Sequence, residues 1–270
     1  MATTWDNGAT PYQEIFVSEM RIRREAGGLS RNKLAQLLGC TPQWLAKVEA
    51  YDRPPSEGLA DDLDTYFKSD GLFRRLWEKH AEARKRGLIP KGIRPLTIAE
   101  QKATQLFIFA PLTIPGLLQA EEYARIVLSA EQRASKLEEF LAVRMERQRI
   151  FERSDPPLMF VMIREAVIRD LPSEAVTAQC KHLLGMMESP NISIQVIPSQ
   201  APVFQGGGFQ LLSFNAGPDA AYVDGASGYG QTFTDPQDVR RLTVLFNLIR
   251  STASSTAETA NLIRTIMEGT

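Results

Sequence analysis

Residues 31–50 read RNKLAQLLGCTPQWLAKVEA, and this stretch decides the fold of the N-terminal part of the chain. Apolar Leu34, Leu38, Leu45 and Val48, with small Ala35 between the first two, form one helical stripe that breaks at Gly39 and then resumes. Two short helices sharing a core follow from that spacing. A larger side chain at Ala35 would hold the crossing backbones apart, and Gly39 supplies the positive φ that the turn between the helices requires. Thr41 followed by Pro42 is a helix start: a capping hydroxyl, then a residue whose missing N–H costs nothing at the first helical position. Ser30 caps the preceding helix in the same way.

A helix starting at Thr41 presents Thr41, Gln43, Trp44 and Lys47 from its outer turns while Leu45 and Val48 point inward. The chemistry suits a major groove. Gln43 donates and accepts at an adenine edge, Lys47 reaches a guanine or a phosphate, and Thr41 bonds a phosphate. Trp44 either touches a thymine methyl or sugar or sits half-buried against its own domain, and the sequence leaves both open. Between Arg21 and Arg53 the bases Arg21, Arg23, Arg24, Arg31, Lys33, Lys47 and Arg53 face only Glu25, Glu49 and Asp52, although the whole chain carries a formal charge of −1. A locally basic face on a near-neutral protein predicts phosphate contact and an affinity that falls with salt.

On these residues, Tyr12 to about Ala83 resembles the Xre family, the repressor-type five-helix DNA-binding domain. Met20-Arg21-Ile22-Arg23-Arg24 resembles its first helix and Gly28-Leu29-Ser30 the approach to its second. Trp44 to Glu49 resembles its recognition helix, and Arg53-Pro54-Pro55 the turn into its fourth. Many relatives carry Gln and Glu where this chain has Arg31 and Lys33, so the usual capping box is absent. The resemblance then implies an Arg31 that makes a strong, undirected phosphate contact. The DNA-facing set is therefore Arg31, Thr41, Gln43, Trp44, Lys47 and Arg53.

At 270 residues the chain is too long for this module alone and suits two domains. The expected organisation is a loose N-terminal arm over 1–11, the helix-turn-helix domain over 12–86, a linker over 87–98 and a second domain over 99–270. Its 43% hydrophobic content leaves ample material for a second core. Cys40 and Cys180 have no metal-type spacing and read as small buried hydrophobes of a reducing cytoplasm. The start MATTWDNGATP has no export pattern. The apolar run Leu106 to Leu118 is cut by two prolines and falls short of the roughly 20 residues that span a bilayer. It reads as a core wall, and neither membrane nor cofactor is expected.

In the second domain, helices read at about 117–130, 135–153 and 173–188, with Leu137, Phe140, Leu141 and Met145 on one side of the second. Strands read at Leu158 to Ile163, Ile192 to Ile197, Phe209 to Phe214 and Ala221 to Asp224, and helices close the chain at about 236–252 and 255–268. The fold class is α+β: an all-α five-helix head, then an α+β domain with a small antiparallel sheet flanked by helices. Ile114 to Gln119 with Tyr123-Ala124-Arg125, Arg144 to Gln148, Arg164-Glu165-Ala166, Val196-Ile197-Pro198, Gly207-Gly208-Phe209 and Tyr222-Val223-Asp224 together resemble the C-terminal domain of WhiJ-like Xre regulators of actinomycetes. That resemblance implies an antitoxin-like transcriptional regulator paired with a small protein encoded nearby.

Candidate partner or ligand residues are Leu117, Gln119, Tyr123, Arg144, Arg147 and Glu165. Pro115-Gly116 either leaves free N–H groups near Leu117 and Leu118 or begins a helix that simply packs, the commoner case. Arg144, Arg147 and Arg149 either pair with Glu165 in a structural network, the favoured reading, or receive an acidic partner. Gln205-Gly206-Gly207-Gly208 lacks the Lys-Ser/Thr of a phosphate loop and reads as a turn or lip. The two histidines, His80 and His182, have no nucleophile or metal-type neighbours, so no catalytic or metal site is expected. A homodimer on double-stranded DNA is expected, since one head touches few bases.

Overall fold

Thr10 accepts a hydrogen bond from the Gln13 N–H and caps α1 (Pro11–Ala26), so Pro11, the last residue of the expected arm, begins the first helix. The computed structural model describes residues 10–89, 92–131, 136–226 and 229–269; the rest of the arm, 1–9, lies outside them. After α1 come α2 (Arg31–Leu37), α3 (Pro42–Glu49), α4 (Glu57–Phe67) and α5 (Leu72–Leu88). Ser30 and Thr41 cap α2 and α3 through their hydroxyls as expected, and Ser56 caps α4 in the same way. Phe16, Met20, Leu34, Ala35, Leu45, Val48, Leu63 and Phe73 form a core with no exposed surface. Each large side chain there contributes about 2 to 3 kcal/mol on burial. The chain divides into two compact units, Met1–Gly87 and Leu88–Thr270.

The second unit begins with a helix, α6 (Arg94–Glu100), in a segment the sequence reading gives to the linker; its Leu96 joins the core. Strand β1 (Gln105–Ala110) follows, then a 3-10 turn at Gly116–Leu118, α7 (Glu121–Glu131) and α8 (Leu137–Arg147), with a further 3-10 turn at Gln148–Glu152. Next come β2 (Leu158–Arg164), α9 (Glu165–Arg169), α10 (Val176–Met187) and β3 (Ile192–Ile197). The chain ends with β4 (Phe209–Ser213), β5 (Ala220–Val223), β6 (Gln231–Phe233), α11 (Pro236–Arg250) and α12 (Thr256–Glu268).

The six strands form one mixed sheet in the order β3-β2-β1-β4-β5-β6. The expectation of an antiparallel sheet is corrected on one side: β1, β2 and β3 run parallel, and only β4, β5 and β6 alternate. The cause is the helical chain between β1 and β2 and between β2 and β3, since a strand returning through a helix lies parallel to the one it left. Alternate residues serve two cores. Leu106, Ile108, Val161, Ile163, Ile194 and Leu212 pack with Leu118, Ile168, Cys180, Leu183 and Ile263 on one face. Phe109, Met162, Phe209 and Ala221 pack with Phe246 and Ile249 of α11 on the other, where Phe107 stacks on Phe160 at 5.1 Å.

The outer edge of β3 is closed by the junction between α11 and α12. The Ser254 N–H donates to the Val196 carbonyl at 2.8 Å, and the buried Thr259 hydroxyl accepts from the Val196 N–H at 2.9 Å. At Val196, therefore, the β3 edge is already paired and is not open to another strand.

Candidate nucleic-acid interface

Gly39 turns the chain between α2 and α3 at φ +66°, a conformation that a Cβ disfavours, and the Cys40 N–H then bonds the Ala35 carbonyl at 3.0 Å. This closes the two helices over fully buried Ala35. On α3 the outward set is as the period requires: Thr41, Gln43 and Lys47 are exposed while Leu45 and Val48 are buried. The Thr41 hydroxyl accepts from the Trp44 N–H at 3.2 Å, which leaves its own proton for a phosphate oxygen. Of the two readings of Trp44, the structure favours packing: the side chain is half-buried against the core of its unit.

Glu49 is the residue that the sequence reading passes over. It ends α3, is 1% exposed, and gathers three arginines. Arg31 Nε donates to its Oε2 at 2.5 Å, Arg24 Nε lies 3.3 Å from its Oε1, and an Arg21 Nη donates to its backbone carbonyl. The signal was present in the spacing, because Glu49 falls one helical turn after Leu45 and so lies on the buried face. Arg31, expected on a phosphate, is tied to Glu49 while its side chain stays 46% exposed. The basic surface is correspondingly narrower than the count of bases implied. Lys33 donates to Gln36 at 3.2 Å, whereas Lys47 and Arg53 are exposed and pair with no carboxylate among the described residues.

The candidate partner residues of the second unit are mostly interior. Leu117, Gln119 and Tyr123 are buried. Gln119 donates to the Ile114 carbonyl at 2.8 Å and accepts from Arg144 at 2.8 Å, while Gln148 donates to the Gly116 and Gln119 carbonyls. Buried Gln179 of α10 accepts from the Ala120 N–H at 2.9 Å and donates to the Leu118 carbonyl at 2.7 Å. The segment after Pro115 is thus a packed, internally bonded turn, the commoner of the two alternatives. Burial raises the Tyr123 phenol pKa, against opposing effects of a backbone hydrogen bond at Ile114 and of the Arg144 charge.

The expected network of Arg144, Arg147 and Arg149 with Glu165 is not formed. Arg147 makes a two-pronged pair with buried Glu100 of α6, at 2.9 and 2.8 Å, and Arg149 bonds Glu152. Glu165 sits past the end of β2, where it accepts from the Ser199 N–H at 2.9 Å and from Arg169 at 2.6 Å. These bonds hold its carboxyl below the usual range, Ser199 first and Arg169 next, with burial opposing. Glu100, just inside the expected second domain, reaches Arg147 because it ends α6, a helix whose first residues fall in the expected linker.

Among the described residues no helix is long and apolar enough to cross a membrane. Residues 15–77 match the family model of a helix-turn-helix domain, and residues 93–265 match that of a domain of unknown function, DUF5753. No curated protein matches the chain.

Proposed function

Because the chain belongs to the DUF5753 family and carries a helix-turn-helix head before that domain, we propose that it is a cytoplasmic, sequence-specific transcriptional regulator of the Xre, WhiJ-like type. It binds double-stranded DNA as a homodimer and represses under the control of a small partner protein received by the second unit. The observation that carries the reading is the outward face of α3, where Gln43 and Lys47 stand exposed above a closed core with no carboxylate partner among the described residues. A glutamine and a lysine placed there are suited to base-edge and phosphate contact, and paired heads supply the selectivity that one lacks. The second unit acts by binding and carries no catalysis in this reading. The test is selection of bound sequences from a random duplex pool, with sedimentation of the resulting complex. A two-fold symmetric site holding two chains is expected, and loss of all sequence preference in the wild-type chain overturns the proposal.

A second reading, an effector pocket in the second unit, has its own observation. The connection from β3 to β4 must cross the carboxyl ends of β2 and β1 to reach the far side of β1, and a crevice of about 510 Å³ lies beneath it. Its volume is typical of small-molecule sites.

A further inference from the structure

That crevice stands where open sheets with parallel strands generally bind ligands, outside the strands' carboxyl ends and at the point where successive connections leave in opposite directions. From β1 the chain moves to β2 and β3 on one side, and β4 returns on the other. The walls follow from this topology. Leu112 comes just after β1, Arg164 ends β2, and Ser199, Pro202, Phe204 and Gln205 belong to the crossing connection.

Two properties of the lining point to a ligand class. Large apolar side chains stand in solvent at its rim, Phe204 at 94% and Leu112 at 75% exposed. Both line the same crevice, and apolar groups gathered at a crevice mark a ligand-binding groove more than single exposed ones do. The other property is charge. Arg164 is the sole charged residue in the lining, it is half-buried, and its only hydrogen bond among the described residues goes to the Val203 carbonyl. No carboxylate pairs with it among those residues, since neighbouring Glu165 is engaged by Ser199 and Arg169. A guanidinium fixed by one carbonyl presents its remaining N–H donors in the planar fork that suits a carboxylate.

We infer that this crevice binds a small carboxylic acid with an apolar body, its carboxylate on Arg164 and its body between Leu112 and Phe204. The regulatory consequence rests on the effector reading above, whereas the binding itself does not. Phe204 and Pro202 favour a flat or chain-like apolar body, and Gln200 and Gln205 add side-chain amides to the lining.

The test is titration of the full chain with decanoate and with 3-phenylpropanoate, each beside its neutral primary amide, by calorimetry and ligand-observed NMR. Saturable binding of at least one acid is expected, one molecule per chain, with Kd at or below about 1 mM. The matching amide should bind at least about tenfold more weakly. Arg164→Gln should lose a similar factor, and Phe204→Ser, which alters a side chain already in solvent, should lose at least about fivefold and carry the test if the arginine variant does not fold. Failure of both acids to saturate, equal binding of acid and amide, or binding unchanged in Phe204→Ser overturns the inference. Operator affinity measured with and without the bound acid then judges the effector reading separately: saturable binding with no change in DNA affinity keeps the site and removes the effector role.

Discussion

Arg31 Nε lies 2.5 Å from Glu49 Oε2, so the first residue of α2 is tied to the last residue of α3 across the helix-turn-helix. The two ends of this link differ in environment, with the glutamate side chain 2% and the arginine side chain 46% exposed. Removing the buried end leaves Arg24 and Arg31 facing a vacated site, whereas removing the exposed end leaves Arg24 and Arg21 still in place. Glu49→Ala is therefore expected to destabilise the first unit by about 3 kcal/mol. Arg31→Ala, screened by solvent, should cost only about 1 kcal/mol. Urea unfolding of both variants checks the asymmetry. If Arg31 serves phosphate alone, its removal will leave stability unchanged and lower only DNA affinity.

On the outer face of α3, the contrast between Gln43 and Lys47 makes a kinetic-free test. Lys47→Ala should weaken binding about equally on all duplexes and reduce the slope of log affinity against log salt by about 1. Gln43→Ala should relax preference at one position by about 1 to 3 kcal/mol with the salt slope unchanged. Titrations at several fixed salt concentrations, on selected and scrambled duplexes, separate the two effects.

Acid should loosen both units, beginning near neutrality. His80 is buried, its Nδ1 2.8 Å from Thr10 Oγ1, and burial with added repulsion from Arg84 pushes its pKa below the ordinary 6.5. Burial likewise lowers His182 against an opposing pull from Glu122. A histidine depressed in the fold takes its proton first in the unfolded chain. Stability is thus fully present above about 6.5 and is lost as pH falls from there through the lower folded values. Urea midpoints should drop between about pH 7.5 and about pH 5.5, and His80→Gln should flatten the change in the first unit's transition. Glu165, held low by Ser199 and Arg169, adds its loss only under its ordinary 4.5.

Gly208, where the crossing connection meets β4, has no room for a side chain. A Cβ there would lie 2.2 Å from Asp224 Oδ2 and 3.2 Å from the Phe109 carbonyl. The carboxylate can swing aside, but the backbone carbonyl is fixed by the central strand. Gly208→Ala is expected to destabilise the second unit by about 1 to 3 kcal/mol, read from its thermal transition.

Much of the first unit was legible because its signals are local. Ser30, Thr41 and Ser56 cap the helices that follow them, and Gly39 takes the φ that the turn demands. The second unit was legible in its pieces and less so in their arrangement. The run QLFIFA is β1, yet it shows no polar alternation because both faces of the strand are covered by helices, and such a run reads equally as a core wall. Parallel pairing depends on where a crossover returns, which composition does not encode. The site residues divide the same way: Gln43 and Lys47 followed from helical period, while the partner that holds Arg147 required knowing that Glu100 of α6 folds back over many residues.

The place of β1 in the middle of the sheet also sets a timetable. Phe109 pairs with Phe209, so the central strand is flanked on one side by residues made about 100 positions later. During synthesis the first unit, built from local helix contacts, is complete while β1 still lacks β4. A nascent chain therefore completes its helix-turn-helix head well before the sheet of the second unit can close, and a stall in translation between them would leave a folded head on a chain whose second core is still open.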